Sequence, residues 1–370
     1  MLERMRRVIV AGTLLAGCAR APRQSAPTPL SDTGERYAPI SAADVRSLLS
    51  ALADDSMQGR MTATPGAARA ARFIAGEMSR IGLEPGGDSA YFQRVPLALR
   101  RIARRPRMTG GETTYVSIPV LLGSFPEEDT VTPARRRTGV NVIGIIRGRA
   151  PSARDSAIVI GAHFDHLGIR AAVNGDSIYN GADDDASGVV AVLEIARAIG
   201  TGMRPRRTIV FVAFTGEEEG GLGSNWYLAH PVIPLDRTLT ELEIEMIGRP
   251  DSLAGGPGKA WLTGYERPTM GDVLRAAGIP IVPDPRPEQH FFQRSDNYTF
   301  ALRGIPAHTL SSFNLHPQYH TPQDEISLVN FDHMAQVIEA ATRAVRALDD
   351  GPAPAWKPGG RPRPEASRGR

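Results

Sequence analysis

Short, unbroken apolar runs separated by helical stretches occupy the middle of this chain, and they leave little choice of architecture. The runs cover 140–146, 157–162, 208–214, 242–247 and 307–310, while helical spacing marks 43–52, 66–81 (with Gly82 as its stop), 187–199, 268–277 and 331–348. A sheet with one wet face would alternate polar and apolar residues. Runs that are apolar at every position predict strands covered on both faces. The expected fold is therefore α/β, a three-layer sandwich with a central, mostly parallel but mixed β-sheet between helices. Residues 92–139 are rich in Arg and Pro and suit edge strands at most.

The ends read differently. Arg4, Arg6 and Arg7 precede an apolar run over 8–16, then Gly17 and Cys18, the only cysteine. That run is too short to span a bilayer and has the layout of an export signal. Leu15-Ala16-Gly17-Cys18 resembles a bacterial lipobox, in which Cys18 becomes the acylated first residue; the plainer reading is an ordinary signal peptide cut near Ala19-Arg20-Ala21. Either way the mature chain is expected outside the cytoplasm, as a membrane-anchored lipoprotein facing the periplasm or cell exterior in the first case. A lone cysteine excludes an internal disulfide. Residues 19–40 are expected to be a flexible tether, 41–350 the folded domain and 351–370 a disordered basic tail. The formal net charge of +3 resides in the ends, where residues 1–40 hold six Arg against three acids and 351–370 five basic residues against one acid. The folded part is thus acidic, which argues against a nucleic-acid partner.

Chemistry-bearing residues cluster where the apolar runs stop. His163-Phe164-Asp165-His166 follows the second run, Thr215-Gly216-Glu217-Glu218-Glu219 the third, Glu245 lies near the end of the fourth, and Tyr319-His320 comes after the fifth. Between the first two of these stands Gly181-Ala182-Asp183-Asp184-Asp185-Ala186-Ser187-Gly188, leading into a helix. Ligands of open α/β sheets bind beyond the carboxyl ends of the strands, so these five segments can converge on one crevice. Imidazole and carboxylate suit zinc in an open site, and carboxylates offset the repulsion between two neighbouring cations. Taken singly, the triple Glu also reads as a solvated acidic helix start, and the triple Asp as a turn in which Asp185 or Ser187 caps the next helix. His166, His230, His290, His308, His316 and His333 read as loop, surface or packing residues.

In order, AHFDHLG, GADDDASGVV, FTGEEEGGLGS, EIEMIGRP and YHTPQDE resemble the motifs of the co-catalytic zinc aminopeptidases, whose relatives include glutamate carboxypeptidases, glutaminyl cyclases and a non-catalytic transferrin receptor. The resemblance implies a zinc-exopeptidase-like fold and two zinc ions. Asp184 would bridge them, Glu218 and His320 would complete one site, and His163 and Glu245 the other. It further implies that Asp165 orients His163, that a carboxylate of less certain role sits at Asp324, and that the Asp184–Asp185 peptide is cis. Two positions depart from the pattern, Glu245 where Asp is usual and Glu243 where Asn is common. Phe291, Phe292 and Tyr298 lie in a stretch resembling a substrate-pocket lining, although such aromatics are equally often core.

The expected activity is hydrolysis of N-terminal residues from peptides with a free N-terminus. A hydroxide bridging both ions would attack the carbonyl, with Glu217 as general base and then acid. The alternatives are a glutaminyl cyclase-type acyl transferase, with one zinc, and a receptor that has lost catalysis.

Overall fold

The apolar runs pair side by side in a computed structural model that describes residues 37–104 and 114–363. Its strands are β1 (Glu84–Pro85), β2 (Phe92–Arg104), β3 (Thr114–Leu121), β4 (Arg136–Ile146), β5 (Ala157–His163), β6 (Gly168–Val173), β7 (Asp176–Tyr179), β8 (Thr208–Phe214), β9 (Thr238–Ile244), β10 (Ala260–Leu262), β11 (Ile281–Pro283) and β12 (Ala307–Ser311). The helices are α1 (Ala42–Leu52), α2 (Pro65–Ile81), α3 (Ser187–Gly200), α4 (Leu222–Ala229), α5 (Met270–Ala276), α6 (Asn297–Arg303) and α7 (Phe331–Asp350). One ten-stranded sheet runs β11-β10-β12-β9-β5-β8-β4-β2-β3, with β1 beside β4, and β6 pairs with β7 as a separate hairpin. Its centre, β12-β9-β5-β8, is parallel, whereas β4, β2 and β3 add antiparallel strands at one edge. Residues 92–139 thus do supply edge strands.

Every residue of β5 and β8 is buried, as unbroken apolar runs require. Alternate side chains divide between two cores. Ile209, Phe211 and Ala213 join α1, α2, α3 and α7 on one face. Val210, Val212 and Phe214 join Tyr227 of α4 and Phe300 of α6 on the other. Each buried Val, Ile or Leu stabilises by roughly 1.5–3 kcal/mol relative to its exposed state, so both faces hold the sheet flat between helical layers. Local signals fix the helix ends: Ser41 caps α1, Thr64 accepts from Ala67 N to cap α2, and Gly82, at φ 88°, ends it.

Strand register aligns the ends that carry the chemistry. β5 pairs with β8 from Ala157 opposite Thr208 to His163 opposite Phe214. On its other side Gly161 lies opposite Glu243, so Glu245 comes level with His163. β9 begins earlier and stops sooner than expected, at Ile244; beyond it Glu245 N still donates to the Leu310 carbonyl at 3.1 Å, and regular strand geometry is lost at Met246, φ 52°.

Two expectations about the ends change. Residues 351–363, read as the start of a disordered tail, lie against the domain: Trp356 Nε1 donates to the Gly304 carbonyl at 2.8 Å and Lys357 Nζ lies 2.8 Å from Asp272. Together with backbone bonds to Arg267 and Thr269, the indole and the ion pair seat a segment whose Gly, Pro and Arg content suggests disorder. The last residues of the supposed tether are likewise anchored, with Ala38 N donating to the Ala198 carbonyl at 3.0 Å. Cys18, the export signal and most of the tether lie outside the described residues. Among the described residues, no helix is long and apolar enough to cross a membrane.

Candidate metal centre

His163 ends β5, Glu218 follows the turn after β8, Glu245 follows β9, and Asp184 stands in the irregular turn before α3. His163 Nε2 lies 3.2 Å from Asp184 Oδ1. His320 Nε2 lies 3.0 Å from Asp184 Oδ2 and 3.4 Å from Glu218 Oε2. Asp184 thus turns one oxygen to each histidine. Glu245 joins His163 and Asp184 in a group whose potential ligand atoms all lie within 4.8 Å of one another. The five expected ligands therefore meet, with Asp184 in the middle.

Neighbouring backbone locks Asp184 in place. The Asp184–Asp185 peptide is cis. Asp183 Oδ1 accepts from Gly248 N at 2.7 Å, and Asp185 Oδ1 accepts from Met246 N at 3.0 Å and caps α3 through Gly188 N at 2.9 Å. Asp324 Oδ2 accepts from both Asp183 N and Asp184 N at 3.0 Å, which gives that motif carboxylate its place. Three successive aspartates therefore divide the work, the middle one facing the site and its neighbours fastening the turn.

Asp165 acts differently from the expectation. Its carboxylate stands 3.9 Å from His163 Nδ1, whereas its backbone carbonyl is 3.1 Å away and takes the imidazole hydrogen bond. The carboxylate instead gathers the turn after β8, accepting from Gly216 N at 2.7 Å, Glu217 N at 3.2 Å, Glu218 N at 3.4 Å and Thr62 Oγ1 at 3.1 Å. Three consecutive amides converging on one buried carboxylate fix where Glu217 and Glu218 begin.

Several residues at the site escaped the sequence reading. His166, classed with the packing histidines, is fully buried with Nδ1 2.8 Å from Glu218 Oε1. The spacing of His163, Asp165 and His166 directly after a strand was the available signal. His316 Nε2 lies 3.0 Å from Asp183 Oδ2. Arg60, also fully buried, donates to the carbonyls of Phe164, Leu52, Asn180 and Gly181 at 2.6–2.9 Å. Nothing in the sequence marks Arg60 among so many arginines.

The donor set fits divalent cations. Burial pushes the Glu245 carboxyl up to about 7 and, with Glu245, Asp296 and Glu218 nearby, raises Glu217 well above the usual carboxylate range. Burial also opposes the charges on Asp184 and Glu218, yet His163 and His320 hold Asp184 well below the usual range, and His166 and His320 bring Glu218 down to about 2. His163 Nε2 is buried without a hydrogen-bond partner among the described residues although Asp184 Oδ1 is near. Two donors facing one point without bonding each other are what an ion between them would use.

Beside Glu245 is a cavity of about 30 Å³ lined by Met246, Trp261, Phe291, Phe313 and Tyr319, with Arg294 at its edge. Phe291 lines it, stacked on Trp261 at 5.2 Å. Phe292 and Tyr298 do not. Phe292 packs between Arg267 and His308, and Tyr298 faces a separate basic recess with Arg267, Lys357 and Arg361. Glu243 is buried beside Glu241, with neither carboxyl oxygen in a hydrogen bond of good geometry among the described residues, in space that the bare Cα of Gly161 leaves open.

Residues 141–345 match peptidase family M28. The chain is 28% identical over 259 residues to a vacuolar membrane protease of Sclerotinia sclerotiorum, covering 68% of this chain and 22% of that protein. It is 28% identical over 181 residues to a probable leucine aminopeptidase 2 of Aspergillus oryzae, covering 46% of this chain and 33% of the relative. The alignments thus span about a fifth to a third of these relatives' lengths. A zinc aminopeptidase from Bacillus subtilis has the same fold, with a TM-score of 0.59 at 17% identity over 83% of this chain and 95% of that one.

Proposed function

Because this chain belongs to peptidase family M28, we propose that it is a zinc-dependent aminopeptidase that removes N-terminal residues from peptides. The observation that carries this reading is Asp184, one carboxylate facing His163 with one oxygen and His320 with the other. His163, Asp184 and Glu245 would hold one zinc ion, and Asp184, Glu218 and His320 a second. Zinc there would supply Lewis acidity toward water and toward the scissile carbonyl.

The chain's own residues do the rest. Glu217, next to Glu218 but outside the ligand set, takes a proton from the attacking water and delivers it to the departing amine. Water adds to the carbonyl carbon, the C–N bond breaks, and the products are an amino acid and a shortened peptide. Glu245, which lines the cavity, favours a free ammonium group at its mouth, and Trp261, Phe291 and Phe313 bound the space for the first side chain. Export, with anchoring to a membrane through acylated Cys18, belongs to the same proposal.

The test is hydrolysis of peptides with free and with acetylated N-termini, before and after chelation. Free peptides should be cleaved, acetylated ones spared, and zinc alone should restore activity to the stripped protein. Cleavage that survives complete metal removal sinks the proposal. Conversion of N-terminal glutamine to its cyclic form without peptide hydrolysis would favour the acyl-transferase alternative.

A further inference from the structure

His166 stands beside Glu218 at a distance that separates two roles. Donors sharing one zinc ion at bond lengths of 2.0–2.2 Å lie about 3.3 Å apart along a tetrahedral edge. His163–Asp184 at 3.2 Å, His320–Asp184 at 3.0 Å and His320–Glu218 at 3.4 Å are of that size. His166 Nδ1 is 2.8 Å from Glu218 Oε1 and 3.8 Å from Asp184 Oδ2. The first distance is that of a charge-assisted hydrogen bond, and the second is longer than an edge.

The proton follows from the surroundings. His166 Nε2 is buried and has no hydrogen-bond partner among the described residues. A carboxylate oxygen 2.8 Å from Nδ1 can only accept, so the hydrogen between them belongs to Nδ1. The ring is packed on two sides. A Cβ on Gly181 would meet the ring carbons at 2.6 Å, and His320 closes the other side with its ring edge-on at 5.7 Å. Gly181 is itself held by Arg60 Nη2, 2.9 Å from its carbonyl.

We propose that His166 is a positioning residue: its Nδ1–H holds Glu218 Oε1, so that only Oε2 faces the space shared with Asp184 and His320. This inference rests on the metallopeptidase reading. Glu218 would then bind through one oxygen, leaving a coordination position on that ion for water or substrate. Without the hydrogen bond both oxygens are free to turn toward the ion.

The experiment is a zinc competition titration of the full chain against a chromogenic chelator, with visible spectra of the cobalt-substituted protein. In His166→Asn the amide nitrogen occupies the place of Nδ1, whereas in His166→Gln it reaches the place of Nε2. His166→Gln should weaken one of two zinc ions about 10- to 100-fold and shift the cobalt bands toward higher coordination. His166→Asn should stay within several-fold of wild type with unshifted bands. Circular dichroism of the zinc-free variants separates misfolding from a site effect, and His166→Asn carries the test if His166→Gln does not fold. Equal zinc affinity in His166→Gln and wild type overturns the proposal. So does an Asn variant as weak as the Gln variant with its cobalt bands moved, which would make His166 a ligand. Wild-type protein that binds no zinc would instead refute the metallopeptidase reading itself.

Discussion

Arg60 Nη2 donates to the carbonyl of Gly181 from 2.9 Å, with the guanidinium wholly buried and φ of the residue at 49°. Through Phe164 O and Asn180 O the same group ties the loop after β5 to the loop that leads to Asp184. It is also a fixed positive charge near Asp165, Asp184, Asp185 and Asp324, whose fields oppose the lowering of its pKa by burial. Arg60→Met should cost on the order of 3–5 kcal/mol, as for removal of one partner from a buried charged network. Urea unfolding with and without zinc checks this, and the loss should be larger without zinc. A variant as stable as wild type in both conditions would rule out this role.

Glu217→Gln should keep the fold and its metal while activity falls about 10²- to 10⁴-fold, the range for a lost general base. Elemental analysis beside steady-state kinetics decides it. Loss of zinc in this variant would give Glu217 a ligand role.

Glu245→Ala should release the ion shared with His163 while leaving the ion proposed between Asp184, Glu218 and His320 in place, because Glu245 groups only with His163 and Asp184, and the second cluster, Asp184 and Glu218 with His166 beside them, does not include it. Glu245→Asp should fall between, with the same donor on a shorter reach. Two tightly held zinc ions in Glu245→Ala at full activity would turn attention to Glu243.

A cavity of about 30 Å³ has room for a small side chain only. Alanyl substrates should therefore be preferred to phenylalanyl ones in kcat/KM, as read from the two substrates side by side. Phe313→Ala, which removes a ring 5.9 Å from Phe291 and 5.1 Å from Tyr319, should reverse the order. An unchanged substrate profile in that variant would place the side chain elsewhere.

Stability should fall with acid for a reason outside the ligand set. Burial lowers His333 to about 4, and its Nδ1 accepts from Gly258 N at 2.8 Å, a bond that the protonated ring cannot accept. The unfolded chain takes up this proton near its ordinary value of 6.5. The contribution is thus present above pH 6.5 and is lost as pH falls from there toward 4. Comparing pH-dependent unfolding of wild type and His333→Gln should show a shallower slope in the variant across that window; identical slopes would count against it.

The strands of the core and the five converging ligand candidates were legible because each relies on composition in a short window: apolar runs, then His, Asp or Glu where a run stops. Roles set by distant partners were not. Asp165 looks like a carboxylate for His163, but three amides of the turn after β8 claim its oxygens. α4 and α6, eight and seven residues long, were not read as helices. The separation of Phe291, beside Glu245, from Tyr298, in the basic recess, is set by the tertiary packing around each and leaves no mark in a short window of sequence.

The seat of Trp356 alters where this domain can be cut. Its indole nitrogen takes up the Gly304 carbonyl at the end of α6, and Lys357 N donates to the Arg267 carbonyl at 2.9 Å. A chain shortened after Asp350, at the end of α7, would leave both carbonyls to solvent and remove the cover from the loop between β10 and α5. Such a truncation should yield a protein that is more readily nicked by proteases within 264–269, whereas one ending at 363 should resist them as the whole chain does.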